Sequence, residues 1–498
     1  MDKLKNELLG KITELEDKIR KNEAEIIALQ QKVYKRSLIR RVLGRIFSPI
    51  KKLSKFLINL LRPIKTGIKN IILNSKMYKI YKQLPHVSMF MKLLLATIIK
   101  HPKVKNPKAK GKKILMLTIS QIEIDPRINK VARGLAEKGF KIVIICFLRS
   151  IEFPEIEHPF PGVTYRRVPL NDLRHSFQIY FQETIFRAGI EEECDIVYSN
   201  DFTTLLVGWM LSRRKKIPLV YDAHEMWTEN VEYDGKKKEY VSMPKWKRFL
   251  FTQIEKRMVY NSQLFVSVSN QICKEFKRRY KLEKEPFLLP NFPELALQKK
   301  EGLRTIRERF NLPEDYFIIL YIGGINPARN IESVILSLKY LPEKCIFAIQ
   351  GPGVAYYQEE YKKLAATINA EDRILCLEGV KQHQVVEAAS FADCGVLMLK
   401  NLCLNFYWFY PNKFFEYMMA GIPVAVSNFP EVSAHVEKEG CGVTFAPHNP
   451  KSIAESILWL YNNRAEAKKM GERGKKSVLE KYNWEAIFED YVKEIGKL

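Results

Sequence analysis

From Lys113 onward, strand-length apolar runs alternate with helical stretches, and this alternation leaves few folds open. KILMLTIS and KIVIICFL flank the helical stretch INKVARGLAEKGF. DIVYSND, PLVYDAHE and SQLFVSVSN then follow as buried strands whose C-terminal ends turn polar. The pattern restarts at FIILYIGG (317–324) and continues through KCIFAIQG, RILCLEGV, ADCGVLML and PVAVSN. Such βα alternation builds parallel sheets covered by helices, so the expectation is two successive doubly wound α/β domains facing a cleft. Ligands in open parallel sheets collect at the carboxyl ends of the strands. Proline and charge interrupt the pattern at LLPNFPELALQKKEGLR, which divides a first domain at 113–295 from a second at 296–480.

The residues before Lys113 behave differently. Residues 1–33 hold seven basic and seven acidic side chains, whereas 34–113 hold 22 Lys and Arg and no Asp or Glu. The formal charge of the whole chain is +26, so the other 385 residues carry only +4. Ile12, Ile19, Ile26 and Val33 alternate with Leu8, Leu15, Asn22 and Leu29 in a heptad over 4–33. β-Branched a positions with Leu at d favour a parallel two-stranded coiled coil, hence a homodimer; the other reading is one amphipathic helix folded back on its own protein. Residues 34–110 mix Lys and Arg with aliphatic residues and are broken at Pro49, Pro63 and Pro85. Short basic amphipathic helices of this kind lie on an anionic membrane surface, and no apolar run reaches the ~20 residues a span requires. A partner protein and nucleic acid are the rival partners for such charge, and the scarcity of aromatic residues favours lipid. HPKVKNPKAKGKK (101–113) has the composition of a tether. Eight cysteines without a C-x-x-C pair suggest neither zinc nor a disulfide framework and fit a reducing cytosol. The charged start MDKLKNELLG argues against secretion.

The stretch Pro411–Val432, PNKFFEYMMAGIPVAVSNFPEV, reads as loop, helix, turn and strand. Its helix tip is suited to phosphate, because unpaired N–H groups and the helix dipole both favour anions there. Glu416 lies about one turn in, where a carboxylate can accept two hydrogen bonds from a ribose diol. With YDAHE at 221–225, this segment resembles the GT-B, retaining, metal-independent glycosyltransferases of the group 1 and family 4-like type, over about residues 113–490. The common pattern in that family has two glutamates eight positions apart. Glu416 matches the second, and Trp408 stands at the first, which is usually assigned to the donor sugar.

The resemblance implies a nucleotide diphosphate sugar as donor and no cofactor. Gly323 and Gly324 end the first strand of the second domain and allow close backbone approach. Many relatives have an Arg beside that Gly and a Lys five residues later, both on the diphosphate. Here those positions are Gly324 and Arg329, so Arg329 is the phosphate cation and Lys413, beside Asn412 at the other helix tip, is the candidate for the missing charge. Glu378, Gly379 and Val380 occupy the place where the family reads the base through backbone groups. In the first domain His224 is expected near the sugar or the acceptor hydroxyl, donating a hydrogen bond, with Asp222, Glu225 and Asp201 as further acceptor-side candidates. Arg127 in SQIEIDPRINK (120–130) is a second phosphate candidate, although Asp125-Pro126 is also an ordinary helix start. Residues 481–498 are expected to form a closing helix returning to the first domain.

No two aspartates stand two residues apart, so the D-x-D metal site of the other large glycosyltransferase fold is missing and no metal is expected. The leading expectation is a membrane-associated glycosyltransferase on the cytoplasmic face, acting on a lipid-linked saccharide in surface polysaccharide assembly. A nucleotide-sugar epimerase on the same fold and a non-catalytic scaffold are the alternatives. Trp408 and Gly324 keep the scaffold open.

Overall fold

A computed structural model describes residues 109, 111–148, 150, 152–169, 177–234, 239–298 and 301–498. The heptad at 4–33 and the basic segment through residue 108 lie outside the described residues.

The first domain is built on β1 (Lys113–Leu117), β2 (Lys141–Leu148), β3 (Ile156–Phe160), β4 (Val163–Pro169), β5 (Ile196–Asn200), β6 (Leu219–Ala223), β9 (Leu264–Ser267) and β10 (Phe287–Leu288). They form one sheet in the order β10-β9-β6-β5-β1-β2-β4-β3. All its pairs are parallel except β3 with β4. A separate antiparallel hairpin, β7 (Val231–Asp234) and β8 (Glu239–Ser242), follows β6. The second domain has six parallel strands: β11 (Phe317–Ile322), β12 (Cys345–Gln350), β13 (Ile374–Leu377), β14 (Cys394–Leu397), β15 (Val424–Ser427) and β16 (Gly442–Phe445). Their order is β13-β12-β11-β14-β15-β16.

Both sheets are apolar on both faces because each strand's alternate side chains feed two different cores. Ile114 and Met116 pack on one side of β1, Leu115 and Leu117 on the other. In β11, Phe317, Ile319 and Tyr321 face one helical layer, and Ile318, Leu320 and Ile322 the opposite one. Each fully buried aliphatic side chain contributes roughly 1.5–3 kcal/mol. This double coverage explains why the strands read as continuous apolar runs.

Strand order reverses between β1 and β5 in the first sheet and between β11 and β14 in the second. These are the switch points at which crevices open beyond the strand ends. At the second switch point Gly395 leaves room for the Tyr417 ring. The Tyr417 hydroxyl accepts a hydrogen bond from Ile322 N–H (3.0 Å) and donates one to the Leu320 carbonyl (3.2 Å).

The last helix, Trp484–Gly496, is capped by Asn483, whose side chain accepts the Ala486 N–H. Trp484, Phe488, Tyr491 and Ile495 share one face and enter the first domain's core beside Ile114 and Met116. Phe488 lies where a Cβ on Gly134 would stand, so only glycine lets these two helices approach. The C-terminal segment thus belongs to the second domain's sequence and the first domain's packing.

Candidate active site

A cavity of about 450 Å³ lies at the ends of the first-domain strands and takes in Asp125, Arg127, His224 and Asn291 from that side. Tyr410 and Asn412 line it from the second domain. It is therefore the cleft between the two sheets.

On the second-domain wall, Asn412 and Lys413 open the helix Asn412–Ala420, whose N-cap is Pro411 and carries no side-chain cap hydrogen bond. The Lys413 side chain runs across Gly323: a Cβ there would overlap Lys413 Cε and stand 2.7 Å from Nζ. Gly323 has φ +146°, and a Cβ on Gly351, the residue after β12, would strike the Gly323 carbonyl. These loops fit together only as glycines. Gly324, by contrast, faces open space. Lys413 thus places its ammonium at the glycine turn that ends β11.

Arg329 ends the short 3₁₀ turn Pro327–Arg329, capped by Asn326, and its Nε is buried with no hydrogen-bond partner. An unpaired buried donor of this kind is costly unless a ligand completes it. Glu416 is almost wholly buried (3% exposed), and its Oε1 accepts a hydrogen bond of 2.9 Å from Gln382 Nε2. Gln382 lies in the loop after β13 and was not singled out from sequence, since a lone glutamine in a loop carries no spacing signal. Glu378 and Gly379 are exposed at the end of β13, with Gly379 packed against Pro352. The Val380 side chain packs on the core below.

The first-domain wall is organised around His224. Its backbone N–H and Nδ1 both meet Asp201, at 2.9 and 3.2 Å, while Nε2 lies 3.5 Å from Asp222 and forms no hydrogen bond. Burial opposes a charge on this ring, but the two aspartates outweigh it and push its pKa up to about 10. His224 is consequently an imidazolium near neutral pH, a donor rather than a base or a metal ligand. Asp201 makes this contact from a backbone with φ +62°, rare for a non-glycine residue. Burial and the Asp201 charge raise Glu225 to about 7, offset in part by its hydrogen bond from Asn230.

Two expectations change here. Arg127 is buried, and its guanidinium is spent on Asp222 (2.7 and 3.2 Å) and the Leu289 carbonyl (2.9 Å), so it does not serve phosphate. Asp222 is fully buried and cannot touch an acceptor. Burial would raise its pKa, but Arg127 and His224 hold it below the usual carboxylate range. Asp222 also accepts from Tyr198 (2.9 Å), which accepts from Tyr491 of the last helix. The pair therefore positions His224 and braces the wall.

Trp408 leaves the donor side altogether. Its ring packs on the first domain's core, and its carbonyl accepts Ser269 Oγ at 3.4 Å. Around it the domains are pinned by groups that sequence gave no reason to select. Asn405 accepts from Met226 N–H and donates to the Met226 carbonyl, both at 2.9 Å. Glu431 accepts the N–H groups of Asn270 and Gln271, the first residues of the first-domain helix Asn270–Tyr280.

The glycosyltransferase family 4 model matches residues 127–294, and the model of glycosyl transferases group 1 matches 304–477. A D-inositol 3-phosphate glycosyltransferase from Xylanimonas cellulosilytica is 20% identical, covering 76% of this chain and 95% of that protein. Among solved structures, HepE from Anabaena in complex with UDP and glucose superposes with a TM-score of 0.62 at 14% identity, over 78% of this chain and 100% of its own. WaaG, a glycosyltransferase involved in lipopolysaccharide biosynthesis, does so with a TM-score of 0.55 at 14% identity, over 76% and 98%. With a family 4 domain, a group 1 domain and the cleft between them, the chain is a glycosyltransferase of the GT-B fold.

Proposed function

We propose that this protein transfers a glycosyl group from a nucleoside diphosphate sugar to a hydroxyl of a lipid-linked saccharide, with retention of anomeric configuration, at the cytoplasmic face of an anionic membrane. The observation that carries the donor half is that Lys413 lies across the glycine turn ending β11, that the segment after the same strand holds Arg329 with its Nε unpaired, and that Glu416 is held buried on the helix that Asn412 opens. In this reading Glu416, held by Gln382, accepts the ribose hydroxyls, and backbone groups at Glu378–Val380 meet the base. Lys413, Arg329 and the helix tip at Asn412 hold the diphosphate.

As the bond between the anomeric carbon and the phosphate oxygen breaks, its electron pair passes to the diphosphate. Lys413 and Arg329 stabilise the charge that develops there. The acceptor oxygen bonds to the anomeric carbon, and its proton leaves with the diphosphate. His224, as an imidazolium, donates to an oxygen of the transferred sugar.

The membrane and the acceptor rest on the charge of residues 34–113, each basic residue near an anionic leaflet adding on the order of 1 kcal/mol. The heptad at 4–33 supports a parallel dimer, and unchanged mass in light scattering after deletion of 1–33 would remove it. Among the described residues no helix is long and apolar enough to cross a membrane.

The test is a thermal-shift series with nucleoside diphosphates and their sugars, with Glu416→Ala in parallel. Stabilisation by one nucleotide that is lost in the variant supports the donor site. Absence of any shift in folded protein sinks it. NMR of the product's anomeric proton then decides retention.

A further inference from the structure

Beyond the cleft, the least expected feature of the described surface is the helix Lys245–Val259 of the first domain, KWKRFLFTQIEKRMV. Its inner face is ordinary core, with Ile254, Met258 and Val259 buried. Its first turn instead turns Trp246 and Phe249 to solvent, each 67% exposed. Spaced i, i+3, they form one apolar ridge. Removing two aromatic side chains of this size from water is worth several kcal/mol, and a surface leaves such a pair out only at a cost.

The charge around the ridge is equally distinct. Residues 245–257 of this helix contain five Lys and Arg against one acidic residue, although the whole of 114–498 carries little net charge. That acid, Glu255, is buried, and burial raises its pKa to about 7 despite hydrogen bonds from Tyr221 and Tyr280. The helix's own outward charge is thus positive, with Arg248 paired to Glu229 at 3.3 Å. Arg248, between the two aromatic residues in sequence, lines a groove of about 410 Å³ with its ion-pair partner Glu229, Ser242 and Met243 from the first domain and Asn401 and Leu404 from the second.

We infer that Trp246 and Phe249 insert into an anionic lipid surface, with the neighbouring lysines and arginines on the headgroups, and that this contact holds the mouth of the Arg248 groove against the membrane. Apolar residues ringed by positive charge match the boundary between acyl chains and anionic headgroups. The basic segment 34–113 and a second copy of this patch are both repelled by its charge, so neither is the occupant. Nucleic acid would also answer the charge and could stack on one ring, but a ridge of two rings spaced i, i+3 on a helix matches the depth of an acyl boundary better, and RNA binding is one outcome of the test. The inference adds to the proposed function a membrane contact made by the catalytic domains themselves, and the groove's role as the acceptor's entry rests on that function.

The chain offers a selective probe. Residues 1–110 contain no tryptophan, so tryptophan fluorescence is blind to the basic segment. Trp209 and Trp484 are buried, Trp227 and Trp408 are half-buried against Phe202, Phe251 and the first domain's core, and Trp459 lies far along the chain on a second-domain helix. Full-length protein is mixed with vesicles of equal parts phosphatidylglycerol and phosphatidylcholine brominated on its acyl chains. The expected result is quenching that is lost in Trp246→Phe, which keeps an apolar ring, and retained in Trp459→Phe. Quenching that survives Trp246→Phe, bound protein with no quenching, or failure to bind these vesicles overturns the inference. So does binding of RNA in preference to the vesicles. Quenching with the expected pattern in a protein that binds no nucleoside diphosphate would leave this patch standing and remove the proposed function.

Discussion

The side chain of Lys413 occupies the space that a Cβ on Gly323 would need, so the helix tip of one loop and the glycine turn of another are fitted to each other. One residue later the situation reverses, because Gly324 faces open space. Adjacent glycines therefore differ in what they tolerate. Gly323→Ala must both strain a backbone at φ +146° and push Lys413 aside, costing about 1–3 kcal/mol of stability and weakening nucleoside diphosphate binding. Gly324→Arg should leave stability within about 0.5 kcal/mol and strengthen that binding. Urea denaturation and isothermal titration of the two variants separate these outcomes.

Glu416 and Gln382 act as a pair. Glu416→Ala removes the group assigned to the ribose and should raise the donor KM by roughly 10- to 100-fold, an effect of a charged hydrogen-bond acceptor. Gln382→Ala leaves the carboxylate in place but unheld, so its loss should be smaller, about threefold to tenfold, and confined to KM. Equal losses in kcat for both would contradict the assignment.

The Arg127–Asp222 pair is a structural prediction. Replacing Asp222 by Ala strands a buried guanidinium and should destabilise the protein by about 3–5 kcal/mol in urea melts. Because the folded-state pKa of Asp222 lies below the usual carboxylate range, the stability it contributes is present above that range. It is lost only as the pH falls through the depressed value.

His224 and Lys130 give opposite slopes against pH. The folded value of about 10 for His224 lies above its usual 6.5, so its contribution is complete below about pH 6.5 and is lost as pH rises through about 10. Lys130 is buried, donates to Asn291 and the Phe292 carbonyl, and is pushed down by burial to about 7 from 10.5. Stability due to Lys130 therefore rises with pH between those values. Relative to wild type, His224→Gln should gain stability from pH 6.5 to 10, and Lys130→Met should lose it from pH 7 to 10.5. Denaturant midpoints over that range check both signs.

Much of the architecture was legible because it is written in local, repetitive signals. Parallel strands covered on both faces must be continuous apolar runs, and β1, β2, β11 and β12 are found where such runs stand. The PNKFFEYMMAG segment forms the expected helix, ended by Gly421 in the left-handed conformation. What stayed hidden depends on partners distant in sequence. Arg127 in DPR looks like a free cation, and only the fold brings Asp222 and the Leu289 carbonyl to it. Asn405 has no local signature, since its role is defined by a backbone segment 179 residues away. Trp408 could be recognised as an absent glutamate but not as a contact on the other domain.

The carboxylate of Glu431 reaches across the cleft to the first two amides of the helix Asn270–Tyr280, while Ser269 takes the third. Whenever the two halves part, those two amides pass to water, and when they meet again the protons are shielded. Their deuterium uptake is thus a built-in clock for domain opening, timed separately from melting of the helix, whose remaining amides stay inside their own hydrogen bonds. A donor that closes the molecule should slow exchange at Asn270 and Gln271 before it slows exchange anywhere else along that helix.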